Sequence, residues 1–172
     1  MRKQADSMSN GKDAGSEIER KYLVRAVPNL EGVKRQEVLQ GYMAVDADGT
    51  EVRLRRIGGR YVETVKTGAG LKRGEIEIDI TPEQFNALWP STENRRVEKT
   101  RYEIEYAGCI IELDLYSGGL AGLQVAEVEF DSEDASAAFT PPDWFGREIT
   151  EDSAFKNRNL AMHGAPRETV PS

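Results

Sequence analysis

The chain is nearly without the residues that build the commonest reactive centres. Cys109 is its one cysteine and His163 its one histidine. A single thiol cannot close an intramolecular disulfide or fill a cysteine-rich zinc site. A single imidazole leaves no basis for a His-rich metal centre, and a His-based triad would rest on that residue alone. No apolar run is long enough to cross a bilayer, and residues 1–15 are charged but lack the apolar core of a secretory signal. Positive charge is also in deficit: 23 Lys and Arg stand against 30 Asp and Glu, a net charge of −7. A globally acidic surface is a poor nonspecific binder of nucleic acid, because phosphate contacts need cations. Any polyanion site must therefore be a local cationic enclave. A reducing, cytoplasmic setting is the expectation.

What is present is a globular composition with a heavy charge load, 38% hydrophobic and 31% charged over 172 residues. That suits one domain with one core. Residues 1–15 are polar and aperiodic and read as a disordered leader, residues 16–163 as the folded domain, and residues 164–172 as a flexible tail. Strands are expected over residues 16–24, 36–43, 51–57, 60–66, 73–80, 95–106, 109–116 and 125–130. Asp48-Gly49, Gly58-Gly59 and Ala107-Gly108 supply turns. Residues 67–70 read as a mobile loop. Thr81-Pro82-Glu83-Gln84 opens a helix with a capping box. Short helices are expected over residues 131–139 and 150–161. Hairpin after hairpin with few helices predicts a mainly antiparallel β sheet or barrel.

The strand parities carry the functional signal. In a pleated strand, residues two apart share a face. Glu17, Glu19 and Lys21 share one, and so do Arg53 and Arg55. Glu75, Glu77 and Asp79 oppose Ile76, Ile78 and Ile80; Lys99 and Arg101 oppose Thr100 and Tyr102. Glu112 and Asp114 oppose Ile111 and Leu113; Glu127 and Glu129 oppose Val128 and Phe130. A solvated face gains by interspersing signs, yet here like charges come in pairs. Segregated acidic and basic rows point to a surface with a cation side and an anion side, or, if the sheet closes, to a charged lumen.

Several short motifs then stand in order. Glu17-Ile18-Glu19-Arg20-Lys21 resembles the E-x-E-x-K signature of the CYTH family, the triphosphate tunnel metalloenzymes. Gln40-Gly41-Tyr42 resembles Q-G-Y, Val52-Arg53-Leu54-Arg55 resembles V-R-x-R, and Thr64-Val65-Lys66 resembles T-x-K. Lys99-Thr100-Arg101-Tyr102, Glu112-Leu113-Asp114 and Ala126-Glu127-Val128-Glu129 resemble K-T-R-Y, E-x-D and A-E-V-E. Order and spacing agree over most of the chain. One departure is Phe155-Lys156-Asn157-Arg158-Asn159, where related chains often carry an aromatic-rich Y-Y-N-S-N.

The resemblance implies a closed eight-stranded antiparallel β-barrel forming a tunnel, with helices outside, and an enzyme that hydrolyses a linear triphosphate. The expected substrate is inorganic tripolyphosphate. Class IV-type adenylate cyclase, nucleoside or thiamine triphosphatase, and a noncatalytic polyphosphate binder are the alternatives. Mg²⁺ or Mn²⁺ is the expected cofactor, with Glu17, Glu19, Glu127 and Glu129 as ligands assisted by Asp114 and Glu112. Lys21, Arg53, Arg55, Lys66, Lys99, Arg101 and Arg73 are expected to hold phosphate. Glu75 and Glu77 line the tunnel or pair with its cations, and Lys99 and Tyr42 are assigned catalytic roles. The expected partner is a small triphosphate-bearing molecule, with no nucleic acid and no membrane; a homodimer is allowed.

Overall fold

The alternating segments assemble into one antiparallel sheet. The protein is described by a computed structural model covering residues 18–68 and 74–167. Glu17, Arg73 and residues 1–15 and 168–172 lie outside the described residues, as do residues 69 and 70 of the loop expected at residues 67–70. The strands are β1 (Ile18–Val24), β2 (Lys34–Val45), β3 (Glu51–Ile57), β4 (Arg60–Thr67), β5 (Gly74–Asp79), β6 (Arg96–Tyr106), β7 (Cys109–Ser117), β8 (Gln124–Phe130) and β9 (Phe145–Glu148). The helices are α1 (Pro82–Leu88), α2 (Glu133–Ala138) and α3 (Asn157–His163). Among the described residues no helix is long and apolar enough to cross a membrane.

Local chemistry sets the corners. Ala107 and Gly108 both take positive φ, 48° and 78°, which is the backbone a tight hairpin between β6 and β7 needs. The Thr81 hydroxyl accepts from the Gln84 N–H at 3.1 Å, and the Gln84 side chain accepts from the Thr81 N–H at 2.9 Å, so the capping box starts α1 as expected. Pro90 ends the α-helix, and Trp89–Thr92 continues as a 3₁₀ turn.

The strand order is β5-β4-β3-β2-β6-β7-β8-β1-β9. This corrects the expected closed eight-stranded barrel: among the described residues the sheet has nine strands and is open. The reason lies in β9, a four-residue strand that sequence periodicity was too short to reveal. It pairs with β1, through Tyr22 with Glu148 and Val24 with Phe145. Because β1 also pairs with β8, both of its edges are taken. The other end of the sheet, β5, is exposed at every residue. The single helix expected at residues 150–161 is also corrected. A 3₁₀ turn covers Ser153–Phe155, Lys156 is extended, and α3 follows.

Two apolar clusters hold the sheet. One lies on the face opposite the charged rows, where Ile111, Ala126, Val128 and Phe130 meet Phe139 and Phe145. The second was not expected. At one end of the charged face the residues turn apolar: Tyr42, Val97, Tyr116 and Val125 receive Ile149, Phe155 and Leu160 from the C-terminal segment. The C-terminal chain thus crosses to the charged side and covers one end of it.

Gly41 shows how closely the turn after α1 packs on β2. A Cβ there would meet the Cβ of Thr92, a fully buried residue, at 2.6 Å. Gly41→Ala is expected to destabilise the fold by about 1–3 kcal/mol through overpacking, read as a lower denaturant midpoint; an unchanged midpoint would show that Thr92 moves aside freely.

Candidate functional site

Strand register places the charged rows side by side. Lys21 faces Glu127, and Glu19 faces Glu129. Glu127 faces Glu112 on its other side, and Asp114 faces Arg101. Across the sheet, Arg53 stands opposite Tyr42 and Arg55 opposite Gln40; Lys66 lies between Glu51 and Glu75. All these residues share one face, and the sheet curls about that face to enclose a cavity of about 1020 Å³. Its wall includes Glu19, Lys21, Tyr42, Arg53, Arg55, Lys66, Glu75, Glu77, Lys99, Arg101 and Glu127. Asp114, Glu112 and Glu129 are not on that wall.

At the floor, Asp114 is completely buried. The Arg101 guanidinium donates a fork to it, Nε to Oδ1 and Nη2 to Oδ2, both at 2.7 Å. The Lys99 ammonium donates to Oδ2 at 2.5 Å. With both carboxylate oxygens engaged from the cavity side, Asp114 sits behind the cations. Arg101 also reaches Glu112, and it donates to Glu127 at 3.2 Å. Lys21 pairs with Glu127 at 3.0 Å.

These contacts set the titration behaviour. Burial pushes the Lys99 ammonium toward losing its proton, and Arg101 adds to that; Asp114 and Glu127 oppose it, and the net shift is downward. Burial alone would raise the Glu127 carboxyl, but Lys99, Lys21 and Arg101 together outweigh it and hold it down at about 2. Burial raises the Glu112 carboxyl, with Glu127 and Asp114 adding to the rise and Arg101 opposing it. Burial also raises the Tyr42 hydroxyl, against the pull of Arg53.

A second set of contacts runs along β2 and β3. Arg55 Nε donates to Gln40 Oε1 at 2.9 Å, and Gln40 Nε2 donates to the Tyr42 hydroxyl at 2.7 Å. The role of Gln40 in orienting Tyr42 was legible only as part of Q-G-Y. Arg53 Nε is buried and has no hydrogen-bond partner among the described residues. Its Nη1 lies 4.0 Å from Glu51, a nearly buried carboxylate that parity arguments passed over. Ser153, Lys156, Asn157, Arg158 and Asn159 complete the wall. Trp89, stacked on Phe85 at 5.0 Å, and Trp144, edge-on to Phe145 at 4.6 Å, are packing residues.

The family model for the CYTH domain matches residues 15–153. The chain belongs to the CYTH family. It is 49% identical over 148 residues to an inorganic triphosphatase of Nitrosomonas europaea, covering 86% of this chain and 97% of that one. It is 36% identical over 151 residues to an inorganic triphosphatase of Acetivibrio thermocellus, covering 87% and 95%. The crystal structure of an inorganic triphosphatase superposes with a TM-score of 0.76 at 45% identity, covering 88% of this chain and 98% of that one. As a CYTH chain it shares with these relatives nearly their whole length.

The available donors in this CYTH site are carboxylate oxygens, the type that hard divalent cations prefer. Among the described residues no three of them gather into a group that could hold an ion unaided.

Two outcomes follow from the floor of the site. Asp114→Ala leaves Lys99 and Arg101 buried without their counter-charge and is expected to cost about 3–5 kcal/mol of stability, measured by urea unfolding. Glu127, with its folded pKa held below the ordinary 4.5, contributes stability that is complete above about pH 4.5 and lost as pH falls toward about 2. Wild-type protein should therefore lose on the order of 2–3 kcal/mol more than Glu127→Gln between about pH 6 and about pH 2. Parallel acid profiles would refute the ion-pair account.

Proposed function

We propose that the protein hydrolyses a linear triphosphate, with inorganic tripolyphosphate giving pyrophosphate and phosphate. The observation that carries this reading is the curled sheet face, where Lys and Arg side chains from four strands converge on one cavity and the buried Nε of Arg53 has no partner among the described residues. An anion supplies that partner. The kinship with inorganic triphosphatases supports the same reaction.

In this reading Arg53, Arg55 and Arg101 present forks to phosphate oxygens, and Lys21, Lys66 and Lys99 act as point charges. Arg73 would join them. Asp114 anchors Lys99 and Arg101 so that both cations are fixed before substrate arrives, and such fixed charge lowers the barrier without reorganisation. Lys99, on the cavity wall, can deliver a proton to the leaving phosphate. Tyr42, oriented by Gln40, keeps its own proton and can donate a hydrogen bond. Glu75 and Glu77 hold the cations of β4: Glu75 lies 3.6 Å from Lys66, and Glu77 lies 3.4 Å from Arg60.

Glu19, Glu127 and Glu129, with Glu17 and Glu112, would hold Mg²⁺ or Mn²⁺. When bound, such an ion withdraws charge from phosphate oxygens and acidifies water. The carboxylates' task is to place negative charge at one side of a site whose other side is cationic, which orients a phosphate chain between them.

Phosphate release from tripolyphosphate should require Mg²⁺ or Mn²⁺ and stop with chelator. Glu19 is exposed, so Glu19→Ala should fold normally yet lose metal-dependent turnover by about 10²-fold or more; an unchanged rate would remove Glu19 from the site. Arg53→Ala should raise KM for tripolyphosphate by roughly 10–100-fold with the unfolding midpoint retained, whereas loss of the fold would make Arg53 structural.

A further inference from the structure

The wall contributed by the C-terminal segment differs in kind from the strand walls. Phe155 and Leu160 are each 1% exposed and anchor it on both sides. Between them, Lys156, Asn157, Arg158 and Asn159 face the cavity. The segment is tied down at several points. The Lys156 N–H donates to the Ser153 carbonyl at 3.1 Å, and Asn159 Nδ2 donates to the same carbonyl at 2.7 Å. The Tyr116 hydroxyl donates to Asn157 Oδ1 at 3.1 Å. Two cations therefore sit at the anchored start of α3 rather than on a loose tail.

Arg158 is joined to the strand clamp through Glu51. Its Nη1 lies 4.0 Å from Glu51 Oε2, and Arg53 Nη1 lies 4.0 Å from Glu51 Oε1. One nearly buried carboxylate thus spaces a strand arginine and a C-terminal arginine side by side. The lining as a whole carries eight Lys and Arg against five Glu. The one aromatic ring on it among the described residues, Tyr42, is 2% exposed. Among the described residues no open ring face is offered to a nucleobase, which sites for unpaired bases usually supply. Charge stands there instead.

Building on the triphosphatase reading, we propose that Lys156 and Arg158 determine specificity. They form a cationic subsite for the unesterified far end of an inorganic polyphosphate, the end that in a nucleotide carries the sugar. A free terminal phosphate has one more ionisable oxygen than an esterified one, so it accepts the Arg158 fork and the Lys156 charge more strongly. A nucleoside at the same place meets two cations and no stacking surface.

The test compares kcat/KM for tripolyphosphate and for ATP in wild type, Lys156→Ala, Arg158→Ala, the double variant and Arg158→Lys. The alanine variants should lower tripolyphosphate kcat/KM by about 10-fold each, mainly through KM, and leave ATP within about 3-fold, with partial recovery in Arg158→Lys. Arg158 is partly exposed, and unfolding midpoints should hold. A parallel fall for both substrates, or no fall for either, would overturn the subsite. Calorimetric binding of tripolyphosphate and ATP to the same variants without added metal reads the subsite directly. If wild type bound both anions but hydrolysed neither, the triphosphatase reading would fail while the binding ratio still decided this one.

Discussion

The site depends on keeping like charges together, which water-exposed surfaces avoid. The solution lies in the Lys99–Asp114–Arg101 cluster. Asp114 has no exposure and both its oxygens are engaged, so it pairs with two cations from behind without occupying the cavity. Burial makes the pairs strong and makes each unpaired member costly. The cluster is therefore a folding constraint and a site constraint together: β6 and β7 cannot shift register without separating these charges. Glu127 extends the same logic to β1 and β8 through Lys21 and Arg101.

Curling one sheet face inward turns this local balance into a cavity. The opposite face has the apolar cover that an antiparallel sheet requires; Phe139, at the end of α2, and Phe145 of β9 provide it. The inner face is more varied than a charged tunnel. Its charged rows run into an apolar end at Tyr42, Val97, Tyr116 and Val125, where Phe155 and Leu160 dock. That docking brings residues 156–159 over the cavity. The opening of the sheet and the placement of this wall share one cause: after β8 the chain first pairs β9 on the outer edge of β1, then passes to the inner face.

Much of this was legible in advance. Strand limits such as residues 51–57 for β3, the capping box at Thr81, and the turn at Ala107-Gly108 follow from local chemistry. So does the grouping of Glu19 with Lys21, Arg53 with Arg55 and Lys99 with Arg101, because the pleat places residues two apart on one face whatever the tertiary fold. Other features were not legible. β9 is only four residues long, and Glu51 looked like one more charged residue at a strand start. Lys156 and Arg158 lay in a segment that reads as continuous helix.

Which side chains stand together follows from local pattern, since period-two alternation is a property of the strand alone. The family follows too, from motifs in fixed order. Long-range folding set the rest: that the sheet is open among the described residues, that Asp114 lies beneath the cations while Glu19 faces the cavity, and that the C-terminal segment supplies a wall. Those outcomes depend on pairing between segments far apart in the chain, such as β1 with β9 and Arg158 with Glu51, and no local periodicity encodes a contact of that range.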